Sequence, residues 1–540
     1  MATDTSNWTL VDLVRRQADA YGEREFISFE QGPRLTFAQL NQDSDDIAHR
    51  LRALGVAPGE RVMALVKNRV EFLLSMIATN KLGAIFVPIN TELKGAFLQH
   101  QMHNSAPRVV LVDAELIPAF DGVAPGDDKV DAVVVVAGVV PDVMPDVFDG
   151  ARHLSFTELT HLAPTADTGL VSPEPGDISC IMYTSGTTGP SKGVLMPHAH
   201  MYLGGYGVAR SIGMNEDDCY YICMPLFHAN ALMMQTISTL ISGGRAHVVE
   251  RFSPNRWLDE VRACGATLTN ALGVMPEFIF RSPAGGNDTD NNLRIVLAVP
   301  VAEEWAAAFE ARFGVQIFQG FGMTECNMVA YSNPGDPLVA GCAGHILADF
   351  FDVRIVHPDT DLALPNGEVG EIVVRPKVPG GFMAGYFKMP ERTVEAWRNL
   401  WFHSGDAGKL DDRGQLHFVD RIKDCIRRRG ENISSFEVEQ VLNNHPSISE
   451  SAVIGVKTAD AGGEEEVMAV IVGQGEVDNT ALLDYCVDLM PRYAVPRFVV
   501  RVAALEKTPT GKLQKQALRD GGVTADTWDR ETVGYKIARL

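Results

Sequence analysis

Between Tyr183 and Gly193 the chain reads Tyr-Thr-Ser-Gly-Thr-Thr-Gly-Pro-Ser-Lys-Gly. Three glycines and a proline within eleven residues keep helix or strand from running through it. Ile178 to Met182, just before, reads as a short buried strand, so the stretch is a loop leaving a sheet. Its Ser and Thr hydroxyls and its single lysine suit a polyphosphate: glycines let backbone N–H groups close on the oxygens, hydroxyls donate, and Lys192 offsets charge. It is not a Walker A loop, which puts glycine before the lysine, whereas Gly193 follows Lys192. A polar surface loop has the same composition.

The elements on either side set the fold class. Thr9 caps a helix to Tyr21, and Thr36 with Gln39 forms a capping box for another that ends at Gly55. Val62–Val66, a helix over 70–82 and Ala84–Pro88 make a β-α-β unit, and a second follows through Val109–Asp113. Such alternation predicts parallel sheets covered by helices on both faces. The segment from Gly122 to Asp149 reads as peripheral strand and loop. Glu303–Phe313 is a helix with Trp305, Phe309 and Phe313 inward. From Cys342 to about Asp420, short strands and tight turns replace the helices, which marks a β-rich subdomain. After Asp420 a small α+β domain begins: Ser434 and Glu437 cap a helix to Asn443, and 451–456, 467–472 and 498–502 are strands around a helix over 482–490. Only Trp528 and Tyr535 are expected to dock from the polar tail.

At 540 residues the chain holds more than one core. A net charge of −22 argues against nucleic acid as the main partner, but says nothing against ATP, because anion sites are built locally. The longest apolar run, Ala132–Val140, is too short to span a bilayer, and the polar start lacks the basic region of a secretory signal. Eight scattered cysteines fit reduced thiols, hence a cytoplasmic protein.

Further stretches carry chemistry-bearing residues. In Gln319-Gly320-Phe321-Gly322-Met323-Thr324-Glu325 the glycines let backbone approach a ligand, Phe321 offers a face to a purine, Thr324 a donor, and Glu325 a hard oxygen for magnesium. Asp406 sits on a glycine turn after Trp401-Phe402-His403-Ser404-Gly405, and an acid there is also ordinary turn chemistry. His228, in Pro225-Leu226-Phe227-His228, follows an apolar strand and by itself reads as a packing residue more often than a catalyst. Lys512, in Thr508-Pro509-Thr510-Gly511-Lys512-Leu513, would by itself be a surface cation.

In this order, the stretches from 183 to 512 resemble the motifs of the adenylate-forming superfamily: acyl-CoA synthetases, nonribosomal peptide adenylation domains and luciferases. Phe418–Arg421, Gly430–Ser434 and His445-Pro446 most resemble crotonobetaine/carnitine-CoA ligases. The resemblance implies a large N-terminal domain over 1–419, a hinge at 420–423 pivoting on Lys423, and a small mobile C-terminal domain over 424–540. ATP would be held by Thr184, Ser185, Gly186, Thr187, Thr188, Gly189 and Lys192, by Gly320, Phe321, Gly322, Met323 and Thr324, and by Asp406 and Arg421 at the ribose. Lys512 would also bind ATP and be catalytic together with Thr184 and Glu325, with Glu325 on Mg²⁺. Gly430, Glu431 and Asn432 would face CoA, and Phe227 and His228 the acyl pocket.

The reaction implied is an AMP-forming ligation: a carboxylate attacks the ATP α-phosphorus, pyrophosphate leaves, and the CoA thiol displaces AMP. Carnitine-like, fatty, aryl and steroid acids all remain open as substrate, as does a homo-oligomer. Leu297-Ala298-Val299-Pro300-Val301 departs from the family's usual Gly-Gly-Ala-Pro run beside the pocket, and Asp420 replaces its usual glycine. Two other readings stay open: an enzyme loading a carrier protein or oxygenating its adenylate, and a non-catalytic nucleotide-binding regulator.

Overall fold

A computed structural model describes residues 4–30, 32–165, 169–184, 191–273, 275–299, 301, 303–422, 424, 426–428, 431–458, 465–475, 477–490, 492–507 and 513–537. They divide into two compact units, Met1–Asp352 with Arg375–Phe402, and Val353–Val374 with His403–Leu540.

The first unit holds two large sheets. One has the strand order Gln316–Phe318, Ile295–Val299, Leu268–Leu272, Cys219–Ile222, Arg245–Val248, Glu25–Phe29, Arg34–Thr36. It is parallel except at its last pair, Glu25–Phe29 with Arg34–Thr36, which is antiparallel. The other runs Gly385–Tyr386, Lys192–Pro197, Ile178–Thr184, Ile85–Pro88, Arg61–Leu65, Val109–Val112, Ala132–Val135, Arg152–Ser155, parallel from Ile178–Thr184 onward. Ala132–Val135 is second from the edge with Val133 and Val134 fully buried, so the segment read as peripheral carries part of the sheet core.

The two N-terminal caps hold where they were read. Thr9 accepts from the Asp12 N–H at the start of Leu10–Tyr21, and the Thr36–Gln39 capping box opens Phe37–Ala53. Such caps contribute about 1 kcal/mol each. In Glu303–Phe313, Phe309 and Phe313 pack against the buried Trp257, with Trp305 at the margin of that cluster. Each large side chain buried there contributes roughly 1.5–3 kcal/mol. The helix thus closes the face of the first sheet beside Ile295–Val299.

In the second unit, Phe402–Leu410 and Gln415–Arg421 form an antiparallel pair. Beyond them Ile448–Lys457, Glu465–Gly473, Phe498–Arg501 and Trp528–Asp529 make a four-stranded sheet packed with Ser435–Asn443 and Asn479–Leu489. Trp528 and Tyr535 do pack against that core, and a further helix, Lys515–Gly521, was not foreseen. Capping of Ser435–Asn443 differs from expectation. The Ser434 hydroxyl donates to the Val419 carbonyl at 3.0 Å, and the Asp420 carboxylate accepts from the Ser435 N–H at 2.7 Å and the Phe436 N–H at 3.3 Å. An acid is better placed than a hydroxyl at a helix N-terminus, where unpaired N–H groups and the dipole both favour negative charge. That gives Asp420 a structural reason to stand where glycine is usual.

Candidate active site

The expected phosphate loop is defined by its two stems; Ser185, Gly186, Thr187, Thr188 and Gly189 lie outside the described residues. Thr184 and Lys192 face each other across the antiparallel pair Ile178–Thr184/Lys192–Pro197, with the Thr184 hydroxyl 3.5 Å from the Lys192 carbonyl. The helix Gly95–Ser105 pins both stems. The Tyr183 hydroxyl donates to Asn104 Oδ1 at 2.6 Å, His100 Nε2 donates to the Ser191 carbonyl at 2.8 Å, and Gln101 Nε2 donates to the Ser191 hydroxyl at 3.1 Å. Gly193 is required because a Cβ there would stand 2.9 Å from Ile181 Cγ2 and 3.2 Å from the Tyr183 ring.

Lys192 points to a residue that the sequence reading missed. Its Nζ lies 3.1 Å from the Tyr386 hydroxyl and 4.1 Å from the ring centroid, and the same hydroxyl donates to Glu325 Oε1 at 3.1 Å. A lysine, a phenol and a carboxylate from three distant segments thus form one relay. Burial, reinforced by the nearby Glu325 charge, pushes the Tyr386 phenol far above its ordinary range, so it stays protonated and donates. Nothing local marks Tyr386: it arrives because Gly385–Tyr386 pairs with Lys192–Pro197 at the sheet edge.

Glu325 closes the strand Gly320–Met323 and is 4% exposed. Its turn is held by His200, fully buried, whose Nε2 donates to the Thr324 carbonyl at 2.9 Å. Burial lowers the pKa of that ring and keeps it neutral. Asn327, at φ 72°, completes the turn and donates to the His200 carbonyl at 2.9 Å. The glycines of this motif serve packing: a Cβ on Gly322 would collide with the Asn327 carbonyl, and one on Gly320 would stand 2.9 Å from the Ala330 carbonyl. Gly322, Met323 and Thr324 are half-buried, and the Phe321 ring is buried.

A buried carboxylate linked through Tyr386 to the stem of the expected phosphate loop would fit magnesium, which keeps most of its water and binds through one or two carboxylates plus substrate phosphates. Among the described residues no cluster of three or more His, Cys, Asp or Glu side chains forms a full metal cage.

Phe227 and His228 are half-buried, with ring centroids 4.5 Å apart. Two residues on, Asn230–Ile237 is a π-helix, a rare geometry concentrated at functional sites.

In the second unit, Asp406 stands directly opposite Arg421 across the strand pair. Opposed residues share a face, so a carboxylate and a guanidinium are presented together, both half-buried. Glu431 and Asn432 lie in the strand Glu431–Ile433, which pairs with Ile426–Arg428. Lys423, Gly430 and Lys512 lie outside the described residues.

Comparison with known proteins agrees with this fold and these motifs. Residues 14–387 match the AMP-binding enzyme family and 437–512 the AMP-binding enzyme C-terminal domain. A crotonobetaine/carnitine–CoA ligase of Salmonella heidelberg is 29% identical over 513 residues, covering 93% of this chain and 97% of that protein. The ATP-bound MatB of Rhodopseudomonas palustris superposes with a TM-score of 0.81 at 26% identity, over 95% of this chain and 98% of its own. The O-succinylbenzoate coenzyme A synthetase MenE of Bacillus subtilis, in complex with AMP, gives 0.80 at 25% identity, over 96% and 99%. The chain belongs to the AMP-binding enzyme family and is an adenylate-forming enzyme. Among the described residues no helix is long and apolar enough to cross a membrane.

Proposed function

We propose that the chain is an AMP-forming carboxylic acid–CoA ligase of the cytoplasm. The observation that carries this reading is the Lys192–Tyr386–Glu325 relay at the stem of a phosphate-type loop, which fixes a cation and a buried carboxylate on one phenol. The lysine suits triphosphate oxygens and the carboxylate a magnesium ion. Glu325 would hold that ion, which when bound offsets charge on the phosphates.

The chemistry needs positioning more than covalent help. Thr184, Lys192 and the hydroxyls of the loop hold the phosphates while an acid oxygen attacks the α-phosphorus. Asp406 and Arg421 suit the ribose, since a carboxylate accepts from vicinal hydroxyls. Lys512 stabilises the charge that develops in this first step. In the second step the CoA thiol attacks the acyl carbon and AMP departs; Gly430, Glu431 and Asn432 face CoA after a rotation about Lys423. The names of the relatives, which include ligases for carnitine and O-succinylbenzoate, support a thiol acceptor and leave several acid classes open.

The test is product identity. With Mg·ATP, CoA and a panel of carnitine, fatty, aryl and steroid acids, the enzyme releases AMP and pyrophosphate. ADP and phosphate as products overturn the reading.

A further inference from the structure

Two residues beyond His228 in the chain, a polar network joins the first sheet to the π-helix. Tyr220 and Asn270 lie on neighbouring strands of the first sheet, almost fully buried, and the Tyr220 hydroxyl donates to Asn270 Oδ1 at 2.6 Å. Asn270 Nδ2 in turn donates to Asn230 Oδ1 at 2.9 Å. The same Asn230 oxygen accepts from Gln235 Nε2, also at 2.9 Å. Residues five apart stand about 140° apart around an α-helix and do not meet. The π-helix over Asn230–Ile237 brings these two amides together.

The hydrogen-bond inventory of that pair does not close. With both donors spent on its oxygen, Asn230 directs its amide nitrogen to the Met234 sulfur at 3.3 Å, a weak acceptor. Gln235 is fully buried, and among the described residues its Oε1 has no hydrogen-bond partner. A buried carbonyl left in this state bears its desolvation cost with no compensating bond. The pair therefore offers one free acceptor and one weakly used donor. Asn230 is half-buried, in line with the half-buried stretch from Phe227 to Ala229, so the network reaches the expected acyl pocket at this end.

We infer that Asn230 and Gln235 select the acid, and that the acyl chain carries a neutral group that both donates and accepts, a hydroxyl or a carboxamide. Such a group gives its hydrogen to Gln235 Oε1 and accepts from Asn230 Nδ2, completing both amides. A plain alkyl chain offers neither amide a partner. Sites that hydrogen-bond a substrate hydroxyl discriminate strongly against analogues that lack it. The inference rests on the acid–CoA ligase reading above.

The experiment measures kcat/KM for pyrophosphate exchange with straight-chain acids and the same acids bearing one hydroxyl or carboxamide at successive carbons. The wild type prefers one polar acid over its alkyl parent by about a hundredfold. Asn230→Leu and Gln235→Met each bring that ratio to within about threefold of unity by losing rate on the polar acid and keeping it on the alkyl acid. Asn230→Asp keeps the oxygen that Asn270 and Gln235 bond and removes only the nitrogen offered to the acid, so it remains informative if Asn230→Leu or Gln235→Met does not fold. Equal kcat/KM for all pairs in the wild type, or variants that lower both acids alike, overturns this inference and leaves the ligase reading standing. No exchange with any acid overturns both.

Discussion

Replacing Tyr386 with phenylalanine removes one oxygen and keeps the ring, so it isolates the relay that joins Lys192 to Glu325. The hydroxyl accepts from Lys192 Nζ and donates to Glu325 Oε1, each at 3.1 Å. Hydrogen bonds to charged groups contribute about 1.5–3 kcal/mol each, and Glu325 is too buried for water to replace the lost donor freely. The lysine over the ring, at 4.1 Å from its centroid, keeps its cation–π attraction in the variant. A loss of about 2–3 kcal/mol follows, or roughly 30- to 150-fold in kcat/KM for Mg·ATP. Pyrophosphate exchange, measured over a range of magnesium concentrations with circular dichroism as a control on folding, reads this directly. Glu325→Gln and the double variant complete a cycle, in which the two losses are not additive if the hydroxyl acts through the carboxylate. A Tyr386→Phe enzyme within about threefold of wild type refutes the relay as part of the machinery.

Two further outcomes concern the second unit. Lys512→Ala loses at least about a hundred- to a thousandfold in pyrophosphate exchange, the usual result of removing one preorganised charge partner; a supplied acyl adenylate is still converted to acyl-CoA at close to the wild-type rate, and retained exchange contradicts the assignment. Burial pushes the Glu439 carboxyl up to about 7 from an ordinary 4.5, against the opposing pull of Lys515 at 2.7 Å. The folded group holds a proton that the unfolded chain releases, so stability falls as pH rises from about 4.5 to about 7, by up to about 3 kcal/mol. Amide exchange of the strand Ile448–Lys457 follows that loss in the wild type, and Glu439→Gln flattens it; a flat wild-type profile contradicts the assignment.

The fold was legible because its signals are local and repeated: caps at Thr9 and Thr36, and strand–helix alternation. Asp406 and Arg421 were also named from local motifs, and pairing set them face to face. What escaped depends on contacts between distant segments. Tyr386 acquires its role from a strand pairing with residues nearly two hundred positions earlier. Asp420 stood out as a departure, but its partner, the N-terminus at Ser435, is set by tertiary packing. The π-helix at Asn230 has no period that distinguishes it from an α-helix of the same composition. Glycines in Gly320–Gly322 were read for ligand approach because a sequence does not display the strand that occupies their open side.

The acyl adenylate itself can be followed by labelling both carboxylate oxygens of an accepted acid with oxygen-18 and recovering the products after CoA addition by mass spectrometry. Attack of the carboxylate on the α-phosphorus places one labelled oxygen in the bridge, and departure of AMP carries that oxygen away. The account predicts AMP bearing one oxygen-18 and unlabelled pyrophosphate. Label in inorganic phosphate, or AMP with none, contradicts adenylation of the acid.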